Sequence, residues 1–142
     1  MRADVRMRLL VPSDLEKFAE LLARFDFRYL PPHPLDRAAA EKALRRRSYL
    51  PFGIFVSETL VGYALLRIFF PRRVVSGIWV LSRYHGTGIA LAAIHATGEF
   101  TRAERLPDYV TIPLDNAPSL MGAQSAGWRI VRSNRRFHVL LR

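Results

Sequence analysis

Hydrophobic and polar positions alternate at the start of the chain. Val5, Met7 and Leu9 fall on one side and Arg6 and Arg8 on the other, which predicts a strand over Val5 to Leu10. The period then lengthens. Leu15, Phe18, Ala19, Leu22 and Phe25 recur at helical spacing and predict a helix reaching about Asp26, capped by Ser13 with Glu16 three residues on. In Tyr29 to Pro34, Pro31, Pro32 and Pro34 remove amide donors and restrict their neighbours, so this stretch reads as a loop. Leu35 to Tyr49 predicts a second helix, whose basic end of Arg45, Arg46 and Arg47 suits a helix C-terminus.

Three strands follow: Phe52 to Val56, Leu60 to Phe70 with Gly62 marking a bulge, and Val74 to Leu81. Turns at Glu58-Thr59 and Pro71-Arg72-Arg73 make them an antiparallel meander. A helix over about Gly88 to Ala103 leads to a strand at Tyr109 to Leu114. A short helix, Ala117 to Ala126, ends at Gly127. Strands at Trp128 to Ser133 and Phe137 to Leu141 join through Asn134-Arg135. The order predicts one domain over residues 1–142: a mixed α/β (α+β) sheet of about seven strands flanked by about four helices. The strand ending at Leu81 and the strand at Tyr109 are joined through a helix, so they should be the parallel pair in an otherwise antiparallel sheet.

The stretch from Val80 to Ala90 organises the rest. An apolar strand runs through Gly86-Thr87-Gly88 into a helix, and such a helix start leaves backbone N–H groups unpaired. Those donors and the helix dipole suit a phosphate or pyrophosphate, and the two glycines allow both the turn and a close approach.

Composition narrows the class. At 142 residues with 50% hydrophobic positions the chain can bury a sizeable core. No apolar run reaches the roughly 18 residues of a membrane span. Met1 to Leu10 lacks the apolar segment of a secretory signal. The chain has no cysteine, so disulfides, thiolate metal sites and cysteine nucleophiles are excluded and a cytoplasmic location is compatible. No spacing suggests a metal site. The net charge of +10, almost all Arg, suits a polyanionic partner such as nucleic acid or a nucleotide cofactor, or a solvated basic surface. There is no aromatic-basic interleaving of the kind single-strand binders use.

The order of elements, with Tyr84-His85-Gly86-Thr87-Gly88-Ile89-Ala90 between the fourth strand and the third helix, resembles the GCN5-related N-acetyltransferase (GNAT) family. That family's motif is Gln/Arg-x-x-Gly-x-Gly/Ala, matched with His85 first, Gly88 at the fixed Gly and Ala90 last; Arg83-x-x-Gly86-x-Gly88 also fits. Asn116-Ala117-Pro118-Ser119 followed by Gly127-Trp128 is similar to the family's Asn-x-x-Ala/Ser and Gly-Phe.

The resemblance implies acetyl-CoA as cofactor, held where the fourth and fifth strands splay. Its arm would pair with Ile78 and Val80, its pyrophosphate would meet the amides of His85, Gly86, Thr87, Gly88, Ile89 and Ala90, and Asn116 and Ser119 would touch the arm. Asn116 is also a residue type that caps helices regardless. Arg83 and Arg129 would serve CoA phosphates. A backbone N–H at Val80 or Leu81 would meet the developing oxyanion. Many members place a Tyr as general acid where this chain has Ala123, so Ser119 or Tyr84 stand in as candidates.

For the acceptor, the resemblance implies a primary amine on a small molecule or protein, approached from the first helices and their loop, with Tyr29 and His33 as substrate-binding candidates and Glu58 and Tyr63 as alternatives for the base. His95 reads as a packed core histidine, and His138 as a surface or packing residue. The expected state is a monomer or homodimer away from membranes. A nucleic-acid or ribosomal-protein acceptor, or a non-catalytic CoA-binding module, are the competing readings.

Overall fold

The computed structural model describes residues 4–26, 31, 33–69 and 73–142. The strands are β1 (Val5–Leu9), β2 (Tyr49–Val56), β3 (Thr59–Phe69), β4 (Arg73–Val80), β5 (Asp108–Pro113), β6 (Arg129–Ser133) and β7 (Phe137–Leu141). The helices are α1 (Leu15–Ala23), α2 (Arg37–Arg45), α3 (Ile89–Ala103) and α4 (Ala117–Ser125). All seven strands form one sheet in the order β1-β2-β3-β4-β5-β7-β6. Every pairing is antiparallel except β4 with β5. The α3 crossover makes that pair parallel, since a strand-helix-strand unit returns the chain in its starting direction.

Helices cover both faces. Phe18, Leu21 and Leu22 of α1 and Ala40 and Ala43 of α2 pack with Tyr63, Leu65 and Leu81 on one face. Ile89 and Ala93 of α3 pack with Ile54, Val61 and Val80 on the other. Under α4, Ala123 and Ala126 meet Ile112, Trp128 and Leu140. Each fully buried Phe, Leu or Ile contributes about 1.5–3 kcal/mol of transfer free energy.

Three local expectations need correction. The cap of α1 is not Ser13. A 3-10 turn at Pro12–Asp14 precedes the helix, and the Asp14 carboxylate accepts from the Val11 amide at 2.8 Å and from both Arg8 terminal nitrogens at 2.8 and 2.9 Å. The Arg8 hydrogen bonds hold the Asp14 carboxyl below its usual range. Next, α2 stops at Arg45 because Tyr49 already pairs with Arg67 in the long β2–β3 ladder. The bulge lies beside Gly62 rather than on it: Ile54 faces Gly62 and Phe55 faces Leu60, leaving Val61 without a partner.

Candidate functional site

β4 and β5 pair only at Val74–Asp108, Val75–Tyr109 and Ser76–Val110, and then part. Beyond Ser76 the two strands enclose a cavity of about 240 Å³, lined by Ile78, Trp79 and Val80 on one side and Thr111, Ile112 and Pro113 on the other. A side-chain bond clamps this short ladder from its first β5 residue to its last β4 residue. Asp108, 1% exposed, accepts from the Ser76 hydroxyl, and the Thr101 hydroxyl of α3 lies 3.3 Å from its other oxygen. Burial raises the Asp108 carboxyl to about 6.

Strand alternation decides which β4 groups face the gap. The Val74 amide donates across to Pro107 O at 2.8 Å, whereas the Leu81 amide donates the opposite way, to Val61 O on β3 at 2.9 Å. Even-numbered β4 residues therefore direct N–H and C=O toward β5. Past Ser76 there is no β5 ladder to receive them, so the Ile78 and Val80 amides face the cavity. Of the two oxyanion donors expected, Leu81 is committed to β3 and Val80 is the one on the open side.

The turn into α3 is built for approach from outside. Tyr84 N donates to Leu81 O at 2.9 Å, His85 N donates to Ser82 O at 3.0 Å, and the Thr87 hydroxyl donates to Tyr84 O. Gly86 and Gly88 take φ of +76° and +85°, and a Cβ on either would meet nothing within 4 Å. Gly88 caps α3 with no side-chain bond to the helix start. The first intrahelical bond is Ala92 N to Gly88 O at 3.0 Å, so the amides from Gly88 to Leu91 have no partner within the helix. The His85 ring turns back over the strand end, with Nε2 donating to Val80 O at 2.8 Å. It braces the turn against β4. Arg83 lies over the Tyr84 ring, 5.1 Å from its centroid, beside this turn.

Asn116, Ser119 and Ala123 all line the cavity, on one face of α4. Asn116 Oδ1 also accepts from the Ser119 amide at 3.4 Å, so this residue both caps the helix and faces the gap. Tyr84 does not line the cavity; it packs beneath Arg83 and against the cores around Leu81 and Ile89. Sequence reasoning named Phe25 only as a helix residue and Trp128 only within the Gly-Phe resemblance, and did not foresee that they line the cavity with Ile94 and Phe137. These residues come from four separate stretches of the chain, and only the fold assembles them.

On the α1–α2 face, the Trp79 indole lies flat over Gly77, where a Cβ would come within 2.1 Å of the ring. His33 stands 6.3 Å from Trp79 and 6.0 Å from Tyr63, ring centroid to centroid. Its Nδ1 lies 2.8 Å from Pro34 O, a pure acceptor, so Nδ1 carries a proton. In the neutral ring Nε2 then accepts from the Tyr63 hydroxyl at 2.7 Å. Tyr63 is fully buried, and burial pushes its phenol well above the usual value. His33 thus ties the proline loop to the sheet. Tyr29 lies outside the described residues.

Other candidates are elsewhere. Glu58 pairs with Arg6 at 3.0 Å in the exposed β2–β3 turn. His95 is exposed, a correction: the buried stripe of α3 is Ile89, Ala93, Thr97 and Thr101, and His95 is on the opposite side. His138 shares a 2.7 Å bond with the Ser133 hydroxyl in the β6–β7 hairpin. Arg129 pairs with Leu141, and Leu141 pairs with Tyr109, which puts Arg129 at the end of the sheet away from the Gly86–Gly88 turn. Arg129 therefore does not serve a phosphate at that turn. Among the described residues no group of three or more His, Asp or Glu could hold a metal ion. No helix there is long and apolar enough to cross a membrane.

No curated protein matches the chain. Solved structures share its fold. The PaiA N-acetyltransferase of Thermoplasma acidophilum, in complex with coenzyme A, superposes with a TM-score of 0.81 at 13% identity, covering 98% of each chain. The ribosomal-protein-S5-alanine acetyltransferase of Vibrio fischeri gives 0.80 at 17% identity, over 96% of this chain and 91% of that one. A spermidine N-acetyltransferase chimera from Vibrio cholerae gives 0.73 at 16%, over 98% and 93%. A family model for an acetyltransferase (GNAT) domain matches residues 4–135. The chain belongs to the GNAT family and is an acetyltransferase that uses acetyl-CoA.

Proposed function

We propose that the chain transfers acetyl directly from acetyl-CoA to a primary amine, and that this amine is carried by a neutral or acidic polypeptide rather than by a polycation. One observation carries the choice of acceptor: among the described residues no charged side chain lines the cavity, in a chain of net charge +10. A polyamine would meet a repelling field and no carboxylate, whereas an acidic chain is drawn in. Of the acceptors named by the structural relatives, spermidine, a polycation, does not suit this electrostatics.

The residues divide the work. Amides from Gly86 to Ala90 take the pyrophosphate, and Arg83 is at hand for a further phosphate. The open backbone groups of Ile78 pair with the pantetheine arm, and Asn116 and Ser119 flank it. Holding thioester and amine in line supplies up to about 7–11 kcal/mol. The Val80 amide donates to the carbonyl oxygen as it gains charge, an effect of about 3–4 kcal/mol. Trp79 and Phe25 offer aromatic faces to the amine side. His33, with both nitrogens engaged, shapes that wall and does not serve as the base. Ser119 is the hydroxyl nearest to the role of proton donor to sulfur. A thiolate also leaves unaided at tolerable cost, its pKa being about 8.5.

Steady-state kcat/KM over three acceptors tests this: a peptide with a free N-terminus followed by acidic residues, the same length with basic residues, and spermidine. The acidic peptide should lead by tenfold or more, with an advantage that shrinks as salt rises. Spermidine as the best acceptor would overturn the proposal. Ala123, which carries no proton at the position where many members have Tyr, favours a second reading, a CoA-binding module. Tight acetyl-CoA binding without turnover of any acceptor would select it.

A further inference from the structure

A second concave site lies at the far end of α3. With 15 residues in the helix, it is about 22 Å along the axis from the Gly86–Gly88 turn. Its walls include Gly98, Thr101, Arg102, Arg105 and Arg142. Three arginines therefore border one pocket, and among the described residues no Asp or Glu lines it. Among the described residues none of the three is in an ion pair.

Two features go beyond a basic helix end. Arg105 has φ of +55°, the left-handed conformation that closes a helix and that glycine adopts most readily. The closing bond, Leu106 N to Thr101 O at 2.9 Å, satisfies the helix carbonyl without any help from the arginine side chain. Arg142 is packed onto the helix backbone: a Cβ on Gly98 would lie 1.8 Å from its Nη1, and that nitrogen donates to Ile94 O at 3.0 Å. Burial and the neighbouring Arg102 charge both work against the Arg142 cation, while Asp108 and Glu99 favour it. Asp108 is enclosed behind Ser76 and Thr101 and does not line the pocket. The Arg142 guanidinium also lies over the Trp128 ring, 5.7 Å from its centroid, and keeps donors to spare, since it has five N–H groups and Ile94 takes one.

We propose that Arg102, Arg105 and Arg142 form a binding site for a small phosphate-type oxyanion, separate from the cofactor turn. Charge-assisted, bidentate contacts from guanidiniums match such an anion in geometry and relieve the mutual repulsion of the three cations. The anion can come from free phosphate or from a phosphate group on a larger molecule, and the two are separable by titration.

The test follows amide chemical shifts of the ¹⁵N-labelled chain during titration with inorganic phosphate, at ionic strength fixed with sodium chloride. Saturable shifts are expected at Gly98, Thr101, Arg102, Leu106 and Arg142, alongside any at His85 to Ala90. Arg102→Gln should weaken the first set about tenfold and leave the second unchanged. Arg105→Gly removes a side chain while easing the backbone, so it should raise the melting temperature and still weaken phosphate at this end, a combination that lost structure cannot produce. An oligonucleotide that competes at lower concentration than inorganic phosphate would identify the phosphate as one carried on a larger molecule. Shifts confined to His85 to Ala90, or binding unchanged in both variants, would overturn the proposal.

Discussion

Asp108→Asn should make the protein's stability less sensitive to pH, by an amount that the structure sets. Asp108, at the first β4–β5 rung, holds the hydroxyl of Ser76, the last β4 residue to pair before the two strands part. Its carboxyl is raised from 3.8 to about 6, chiefly by burial. A raised folded value means that the folded state holds the proton more tightly than the unfolded chain. The stability so gained is fully present below about pH 4 and is lost as pH rises through about 6. A gap of about two pH units is worth about 3 kcal/mol, of which about 2 is lost between pH 4.5 and 7.5. Asparagine keeps an acceptor for the Ser76 hydroxyl and never ionises. Urea unfolding followed by tryptophan fluorescence at the two pH values should therefore show the variant gaining about 2 kcal/mol on the wild type between them. The same difference at both values, or a variant that loses ground as pH rises, would refute the reasoning and indicate a carboxylate held charged by Arg142.

Two further outcomes are expected at the candidate site. Arg83→Ala should weaken CoA by more than it weakens dephospho-CoA, as read by calorimetry; equal losses would mean that Arg83 does not read the ribose phosphate. Ser119→Ala should lower kcat by about tenfold to a hundredfold with little change in KM for acetyl-CoA, and an unchanged kcat would remove Ser119 as proton donor.

The parts of the molecule legible in the sequence are those set by local chemistry. The alternation at Val5 to Leu9, the glycines of the turn and the position of Asn116 at a helix start all follow from neighbouring residues. The parallel pairing of β4 and β5 follows from the helix between them. What stayed hidden depends on partners distant in the chain. α2 ends early because β3, more than ten residues on, claims Tyr49. His33 loses its free nitrogen to Tyr63, thirty residues away. His95 misled because α3 is rich in Ala on every side, so composition could not show which stripe is buried; Gly98 and Thr97 lie on that stripe and His95 does not. Asp108 and Arg142 drew no reading from the sequence, and only their bonds to distant residues, Asp108 to Ser76 and Thr101 and Arg142 to Ile94, give them their roles.

The central claim is that the Gly86–Gly88 turn holds the pyrophosphate of acetyl-CoA on backbone amides, and acetyl-CoA binding by Gly88→Val tests it most directly. At φ +85° with open space beyond, the added side chain would strain the turn and fill the position the anion needs, while touching no other part of the protein. Saturating ligand at a hundredfold over Kd stabilises by about 2.7 kcal/mol, several degrees for a domain of this size. Differential scanning calorimetry should show that rise for the wild type and none for Gly88→Val, with a smaller loss for His85→Ala because its ring donates to Val80 O rather than to the ligand. A wild type that does not move with acetyl-CoA, or a Gly88→Val variant that moves as far as the wild type, would contradict the account.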